Sequence, residues 1–182
     1  AKCYNLDGSN PTYDTENFFC QQFDRQPGGI FNYVNQPYLN LGGYKTSGLD
    51  ISFNWQVPAT FVNDSAKLSV DSFASRLSKF EIAVFDDSPF QDFKGTVSET
   101  ESYPEWKLVN SITFNDENYS LTARWRYISS MADSSTVTNP NSQTAGSASY
   151  SYIDLTGSYQ LTDSLALRAG VNNVTDKEPP II

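Results

Sequence analysis

The stretch YIDLTGSYQLTDSLALRAGVNNVTDKEPP, residues 152–180, decides the fold of this chain. Apolar and polar side chains alternate along 153–161 and again along 165–171, and a tight turn at 162–164 separates the two runs. Alternation with a period of two predicts a β-strand that has one apolar and one polar face. Two such strands joined by a short polar turn predict a β-hairpin. The apolar positions are Ile153, Leu155, Tyr159, Leu161, Leu165, Leu167, Ala169 and Val171.

The same alternation recurs along the rest of the chain. It is clear in residues 49–57 and 119–127 and weaker in 66–85 and 106–115. Residues 72–85, SFASRLSKFEIAVF, also fit a short helix, but the neighbouring strands favour a strand here. We therefore predict an all-β fold, an antiparallel up-and-down meander of about six long strands.

The connections between these strands are of two kinds, and they alternate. Short ones lie at 58–66, 115–118 and 162–164, and long polar ones lie at 1–37, 87–103 and 131–149. Outer-membrane barrels have this asymmetry, with short turns at the periplasmic end and long loops at the outer end. Several runs also reach the roughly 9–11 residues that a membrane-spanning strand needs. A soluble sandwich produces the same two-faced strands, so a secreted β-sandwich binding or adhesion module stays open as the alternative.

The composition narrows the classes of function. Of the 182 residues, 14% are aromatic, and the net charge is −9. A nucleic-acid surface needs a basic patch and none is visible, so we predict no nucleic-acid partner. The absence of histidine removes Ser-His and Cys-His catalysis, and no glycine-rich phosphate loop is present. Any acidic chain offers carboxylate pairs for glycoside hydrolysis, but nothing singles one out in this sequence. We predict a protein that is not an enzyme and holds no cofactor.

Cys3 and Cys20 are the two cysteines of the chain, and they lie in a segment rich in Asn, Asp, Gly and Pro. Their even number and close spacing predict one disulfide, which implies an oxidising compartment; two unpaired thiols are the alternative. Zinc would lack its usual histidine and additional cysteine ligands. The acidic stretch 86–92, DDSPFQD, has oxygen ligands for Ca²⁺ without their usual spacing. We therefore predict a solvated loop there and no metal site.

Several stretches resemble the barrel of TonB-dependent outer-membrane receptors. In that family a strand begins with an aspartate, and the next strand ends in a Gly-Val-Asn-Asn-like run followed by Asp-Lys-x-Pro-Pro. The ranges that resemble the family are 152–180 for this motif, 40–55 for an earlier strand, 104–114 and 121–130 for a strand pair, and 3–25 for a disulfide-closed surface loop. The matching residues are Asp154, Gly170, Val171, Asn172, Asn173, Asp176, Lys177, Pro179 and Pro180, and upstream Asn40, Gly48, Leu49 and Asp50.

The resemblance implies a protein of the bacterial outer membrane. Such receptors form a transmembrane β-barrel of about 22 antiparallel strands around an N-terminal plug. They import a scarce ligand, such as a siderophore, cobalamin or an oligosaccharide, with energy delivered through TonB. The sequence shows no plug, no TonB-contacting segment and no last strand of the family pattern. We therefore expect one partial C-terminal barrel segment, 1–182, with 1–37 as a disulfide-closed outer loop and with 87–103 and 131–149 as further outer loops.

The same resemblance implies the partners of the chain. We expect the plug and the remaining strands, the TonB system, membrane lipid and a small-molecule ligand. A sheet with unpaired edges does not span a bilayer alone, because its edge N–H and C=O groups have no partners in lipid. The isolated chain is therefore expected to repack or to self-associate.

The resemblance also suggests roles for individual side chains. Arg124, Arg126 and Arg168 fall on the polar strand faces, so in a barrel they would face the lumen and pair with carboxylates of the plug or wall. A solvated sheet face is the alternative. Aromatic residues flank the long loops, where they suit capture of a sugar ring or a siderophore, or else local packing. These aromatic residues are Phe31, Tyr33, Tyr38, Phe90 and Phe93.

Overall fold

A computed structural model describes residues 2–6, 8–36, 38, 42–85 and 88–180. Asn40 of the family motif, and Asp86 and Asp87 at the start of the acidic loop, lie outside the described residues. The chain divides into two compact units, Ala1–Leu41 and Gly42–Ile182. The first unit is rich in turns, and the second is built on one long antiparallel sheet.

The first unit begins with a disulfide-closed loop. A disulfide joins Cys3 and Cys20, as the sequence predicts, and their Cα atoms lie 4.9 Å apart. Inside the loop, the buried Asn10 side chain accepts a hydrogen bond from the Asp14 N–H at 2.9 Å and donates one to the Cys3 carbonyl oxygen at 3.0 Å. The cross-link and the buried amide together order a segment that is too polar to form a hydrophobic core.

A β-hairpin follows this loop. Strand β1 (Phe23–Arg25) pairs antiparallel with β2 (Phe31–Val34). The hydrogen bond from the Gln26 N–H to the Ile30 carbonyl oxygen, at 2.9 Å, closes the turn. Gly29 has φ +84° in this turn, a conformation that glycine adopts without the steric penalty of a Cβ atom. The segment predicted as one outer loop, 1–37, therefore has its own secondary structure.

The second unit contains six long strands and several short ones. Its elements are β3 (Gly43–Pro58), β4 (Lys67–Ala83), β5 (Gln91–Asp92), β6 (Thr96–Val97), β7 (Ser102–Tyr103), β8 (Trp106–Asn115), β9 (Tyr119–Ile128), β10 (Ala132–Asp133), a 3-10 helix (Ser134–Val137), β11 (Tyr150–Thr162) and β12 (Leu165–Val171). The long strands form one antiparallel sheet in the order β3-β4-β8-β9-β11-β12, with β5 on β4. Each long strand pairs with the next one in the chain, which confirms the predicted up-and-down meander. The ambiguous stretch 72–85 lies mostly in β4 and is not helical.

The short connections meet at one end of the sheet. They are residues 59–66, 116–118 and 163–164. Asp116 ties the first two together, because its carboxylate accepts hydrogen bonds from Ser65 Oγ at 2.6 Å and from Asn63 Nδ2 at 3.0 Å. These bonds favour the ionised form, so the pKa of Asp116 lies below its ordinary value, with the Ser65 bond as the largest cause.

The long connections fold against each other at the opposite end. One long connection, 84–105, contains β6 and β7, and the other, 129–149, contains β10. Strand β6 pairs in parallel with β10, and β7 pairs with the other edge of β6. Val97 of β6 is 1% exposed. Met131 and Ser147 exchange two backbone hydrogen bonds, both at 2.8 Å. The two predicted loops therefore share one small three-stranded sheet.

The register gives the long sheet two different surfaces, an apolar face and a polar face. One row of opposed residues on the apolar face is Trp55, Val70, Ile112, Ala123 and Leu155. The adjacent row on the polar face is Asn54, Asp71, Ser111, Arg124 and Asp154. In these two rows the alternation of the separate strands is therefore in phase across five strands. The neighbouring polar-face row is mixed, because Phe73 and Val109 lie on it between Ser52 and Arg126.

Little of the described chain is buried. Its buried hydrophobic residues are Ala59, Ala66, Ala83 and Val97. Large side chains of the apolar face remain exposed, among them Phe53 at 54% and Leu167 at 57%. A soluble sandwich buries such side chains between two sheets, so the structure does not support that alternative. No helix among the described residues is long and apolar enough to cross a membrane.

Candidate functional site

An ion-pair network lies on the polar face, near the long-connection end of β11. Arg126 donates from Nε and Nη2 to the two carboxylate oxygens of Asp154, both at 3.0 Å. Asp154 also accepts a hydrogen bond from the Asn173 N–H at 2.9 Å. The Asp154 side chain is 10% exposed and the Arg126 side chain 45%. Bidentate arginine–carboxylate pairs combine strength with a fixed geometry, so this network joins β9, β11 and the segment after β12.

The three arginines of the predicted site differ in their surroundings. Arg126 is held by Asp154, whereas Arg124 makes one long contact from Nε to Ser111 Oγ at 3.4 Å. Arg168 borders a groove of about 270 Å³ that Ser and Thr side chains of β9 and β11 also line. Its guanidinium forms no hydrogen bond or ion pair with any described residue. Of the three, Arg168 therefore has the charge most available to a group outside the described chain.

An aromatic cluster of Tyr44, Phe80 and Tyr103 lies on the polar face beside the long connections. The rings of Phe80 and Tyr103 stack with centroids 4.1 Å apart, and Tyr44 contacts Phe80 at 6.3 Å. The Tyr103 hydroxyl donates a hydrogen bond to Glu101 Oε2 at 2.7 Å. Because this bond uses the phenolic proton, it raises the pKa of Tyr103 to about 12.

A β-bulge explains why Phe80 lies on the polar face. Gly48 pairs with Leu77 and Ser47 pairs with Lys79, so β4 carries one extra residue at this point. An extra residue reverses the alternation of faces beyond it. Without the bulge, the period of β4 would place Phe80 on the apolar face, and no sequence pattern signals the reversal.

Three of the aromatic residues predicted to capture a ligand lie in the first unit. Phe31 is 50% exposed, and the Arg25 guanidinium lies 3.9 Å from its ring centroid. Phe23 meets the edge of Phe31 at 5.8 Å. Tyr33 is 58% exposed, and Tyr38 is fully exposed. Phe31 is thus held by its neighbours, and a ligand role for the three remains a prediction.

The other two predicted aromatic residues lie in the second unit. Phe90 is 39% exposed, and the Lys45 ammonium lies 3.6 Å from its ring centroid, a cation–π contact. Phe93 is half-buried, and its N–H donates to the Phe80 carbonyl oxygen at 2.8 Å. The sequence prediction therefore named residues next to the aromatic cluster but missed Phe80 and Tyr103 as candidates for ligand contact.

Asp133, in a long connection, uses its carboxylate to cap a short helix. Asp133 caps the 3-10 helix by accepting hydrogen bonds from the hydroxyl and N–H of Ser135, which hold the pKa of Asp133 below its ordinary value. Within the described ranges, no group of three or more acidic or cysteine side chains lies close enough to hold a metal ion. The acidic stretch 86–92 begins outside these ranges, so its predicted solvated state is not tested.

A family model described as TonB dependent receptor-like, beta-barrel matches residues 7–174. The chain belongs to this family. The match extends into both units and includes every strand of this TonB-dependent receptor barrel segment that the structure describes. No curated protein and no solved structure shows significant similarity to the chain.

The two faces of the sheet fit the barrel of this family. Proteins with TonB-dependent receptor barrels are transporters of the bacterial outer membrane, and they are not enzymes. A transmembrane barrel needs an apolar outer surface and a polar interior on alternate residues of each strand. The six long strands have this alternation in register except beyond the bulge in β4.

Proposed function

We propose that this chain forms part of the wall of a TonB-dependent outer-membrane receptor that imports a scarce ligand, such as a siderophore, cobalamin or an oligosaccharide. The apolar face contacts lipid, and the polar face, with Arg124, Arg126 and Arg168, lines the lumen. The long connections 87–103 and 131–149, and the disulfide-closed segment 1–37, face the cell exterior and contact the ligand. The single observation that carries this proposal is the in-register separation of apolar and polar faces with no covering layer in the described residues.

Strand length supports the membrane-spanning role. β8 and β9 have 10 residues each. At roughly 3.3 Å per residue, a strand of this length extends about 33 Å. Tilted by about 45°, it rises about 23 Å, close to the roughly 25 Å apolar band of outer-membrane barrels. β3 and β4, with 16 and 17 residues, extend past this band toward the long connections.

Polar side chains on the apolar face also fit a lipid environment, because they bond to one another. Ser72 Oγ donates to Asn110 Oδ1 at 2.6 Å, and Trp125 Nε1 donates to Ser151 Oγ at 3.2 Å. Lipid offers such groups no hydrogen-bonding partner, so pairing within the sheet lowers the free energy of placing them there.

The edges of the sheet indicate further partners. In the described residues, β3 and β12 each pair along one side only. Unpaired N–H and C=O groups are costly in lipid, so we infer that other strands of the receptor pair with both edges. The plug would fill the lumen, and the TonB system would act through the whole receptor. Taken alone in water, the chain would self-associate through its apolar face.

Membrane topology gives the direct test of this proposal. Asn141→Cys places a thiol in a long connection, and Asp163→Cys is the matched control in a short turn; both positions are exposed. The native cysteines do not react, because they form the disulfide. A membrane-impermeant maleimide added to intact cells should label Asn141→Cys, and it should label Asp163→Cys only after the outer membrane is permeabilised. Equal labelling of both positions in intact cells, or the reverse order, would overturn the proposal.

Light scattering after size-exclusion chromatography tests the soluble alternative. The isolated chain should form oligomers or aggregates in plain buffer, and detergent should disperse them, because lipid-facing side chains such as Phe53 are exposed. A compact monomer without detergent would favour the secreted β-sandwich instead.

A further inference from the structure

A pocket of about 240 Å³ opens on the polar face beside the long connections. Its lining includes the apolar and aromatic residues Leu77, Phe80 and Tyr103 and the polar residues Thr46, Ser75 and Lys107. At roughly 30 Å³ for each water molecule, the volume corresponds to about eight waters. It therefore has room for one six-membered ring with its substituents.

The apolar side of the pocket is held in place before any ligand binds. Phe80 and Tyr103 stack at an interplanar angle of 24°, and the bond from the Tyr103 hydroxyl to Glu101 fixes the orientation of the phenol ring. The Gly95 N–H also donates to the Tyr103 carbonyl oxygen at 2.7 Å. A surface that is already ordered loses little conformational entropy when a ring packs against it.

The polar side of the pocket has an available positive charge. Lys107 lies on β8, which is an interior strand of the sheet. Its two cross-strand neighbours are Ser75 of β4 and Ile128 of β9, and neither is charged. It forms no ion pair with a described residue.

Two acidic groups that lie in the chain next to the pocket lining, Glu101 and Glu105, already have partners. Glu105 pairs with Arg76 at 3.4 Å, and Glu101 accepts the hydrogen bond of the Tyr103 hydroxyl at 2.7 Å. Asp50 shares the cross-strand row of Lys107, but Ser75 lies between them, which puts Asp50 about 10 Å away at the usual strand spacing. The ammonium of Lys107 is therefore free to bind an anionic group that enters the pocket.

We propose that this pocket is a subsite for a six-membered sugar ring that carries a carboxylate, a uronic acid residue. The C–H face of the ring packs against the aromatic wall. The hydroxyls of Ser75 and Thr46 exchange hydrogen bonds with the ring hydroxyls. The Lys107 ammonium donates to the carboxylate, a charge-assisted hydrogen bond. This inference rests on the proposed function, because it specifies the ligand class for a pocket that the outer loops border.

Saturation-transfer NMR on the detergent-solubilised protein suits a weak single-ring ligand. Glucuronate is the probe, and glucose is the matched neutral sugar without the carboxylate. We expect glucuronate to give saturation transfer that is titratable, and glucose to bind at least about tenfold more weakly. Equal binding of the two sugars, or binding of neither, would overturn the proposal.

Two lysine variants locate the charge that the ligand uses. Lys107→Gln should weaken glucuronate binding about tenfold, whereas Lys107→Arg should largely retain it. Lys67→Gln is the matched control, because Lys67 also lies on the polar face but at the short-turn end of the sheet, opposite Asn115. An equal loss in Lys67→Gln, or no loss in Lys107→Gln, would contradict the assignment. Phe80→Leu, which keeps the charge, should also weaken binding, and circular dichroism would show that the sheet is intact.

These outcomes are separable from those of the proposed function. Binding to the solubilised protein does not depend on the orientation of the chain in a membrane, whereas the maleimide labelling of Asn141→Cys and Asp163→Cys does. Correct topology without glucuronate binding would remove the ligand class and leave the receptor role in place. Glucuronate binding with the wrong topology would leave the pocket and remove the receptor role.

Discussion

The Arg126–Asp154 pair should be the strongest single polar contact between β9 and β11. Arg126→Gln removes two hydrogen bonds of 3.0 Å and leaves a carboxylate that is 10% exposed without its counter-charge. Hydrogen bonds to charged groups contribute about 1.5–3 kcal/mol, and exposed ion pairs contribute about 0–1 kcal/mol. Since Arg126 itself is 45% exposed, we expect a loss of about 2 kcal/mol in the free energy of unfolding.

Arg124→Gln is the matched control for this prediction. Arg124 lies on the same strand and the same face, but its side chain makes one contact of 3.4 Å, to Ser111. A hydrogen bond of that length between half-exposed groups is weak, so we expect a loss below about 0.5 kcal/mol. The difference between the two variants isolates the contribution of the bidentate pair from the general effect of removing a positive charge.

Urea unfolding in detergent micelles, followed by tryptophan fluorescence, measures both variants. A double-mutant cycle of Arg126→Gln with Asp154→Asn should give a coupling energy of about 1.5–2 kcal/mol. Asp154→Asn should also speed amide hydrogen exchange at Asn173, because the Asn173 N–H donates to the same carboxylate at 2.9 Å. The reasoning fails if Arg126→Gln costs no more than Arg124→Gln, or if the coupling energy is near zero.

Two further predictions concern the long connections. Gly146→Ala should open the paired loops, since the new Cβ would collide with the Met131 carbonyl oxygen; faster proteolysis of residues 129–149, with unchanged circular dichroism of the sheet, would show this. The hydrogen bond from Tyr103 to Glu101 raises the pKa of Tyr103 to about 12. The stabilisation that accompanies this shift is therefore fully present below about pH 10 and is lost as the pH rises from about 10 to about 12. Absorbance titration of tyrosinate should therefore show a late-titrating group that moves toward about 10 in Glu101→Gln; an unchanged titration in that variant would mean that the Glu101 bond does not raise the pKa of Tyr103.

The long strands were predictable because their signal is local. A period of two is visible in each run by itself, and residues 106–115 form β8 with the boundaries that the sequence predicts. Hairpin pairing then follows from short connections, which force consecutive strands to lie side by side. The sequence of β4 does not identify it as a strand by itself, since residues 72–85 also fit a helix. The neighbouring strands decided that prediction.

The long connections were not predictable in the same way. The parallel pairing of β6 with β10 joins residues that lie more than thirty positions apart, at Val97 and Asp133. Two-residue strands carry no measurable period, so nothing in the composition of 87–103 or 131–149 indicates that they meet. Such contacts depend on where the sheet places the loop ends, which is tertiary information.

The site was predictable only in part, for a related reason. Period two places Arg124 and Arg126 on one face, but only the register of β9 against β11 decides that Arg126 meets Asp154 in a bidentate pair. The sequence marks Asp154 as a motif position without indicating its structural role. Phe80 was missed because a β-bulge in β4, opposite Ser47 and Gly48, places it on the other face of the sheet. The alternation of the sequence does not indicate this bulge.

Spin labelling along β9 tests the central claim most directly. Single nitroxides at positions 121 to 125, in membranes that contain the protein, report collision with oxygen, which concentrates in lipid, and with a water-soluble nickel chelate. The account predicts high oxygen accessibility at Leu121, Ala123 and Trp125, and low oxygen accessibility at Thr122 and Arg124, with a period of two. Uniform accessibility along the strand, or nickel accessibility on both faces, would show that the apolar face does not contact lipid.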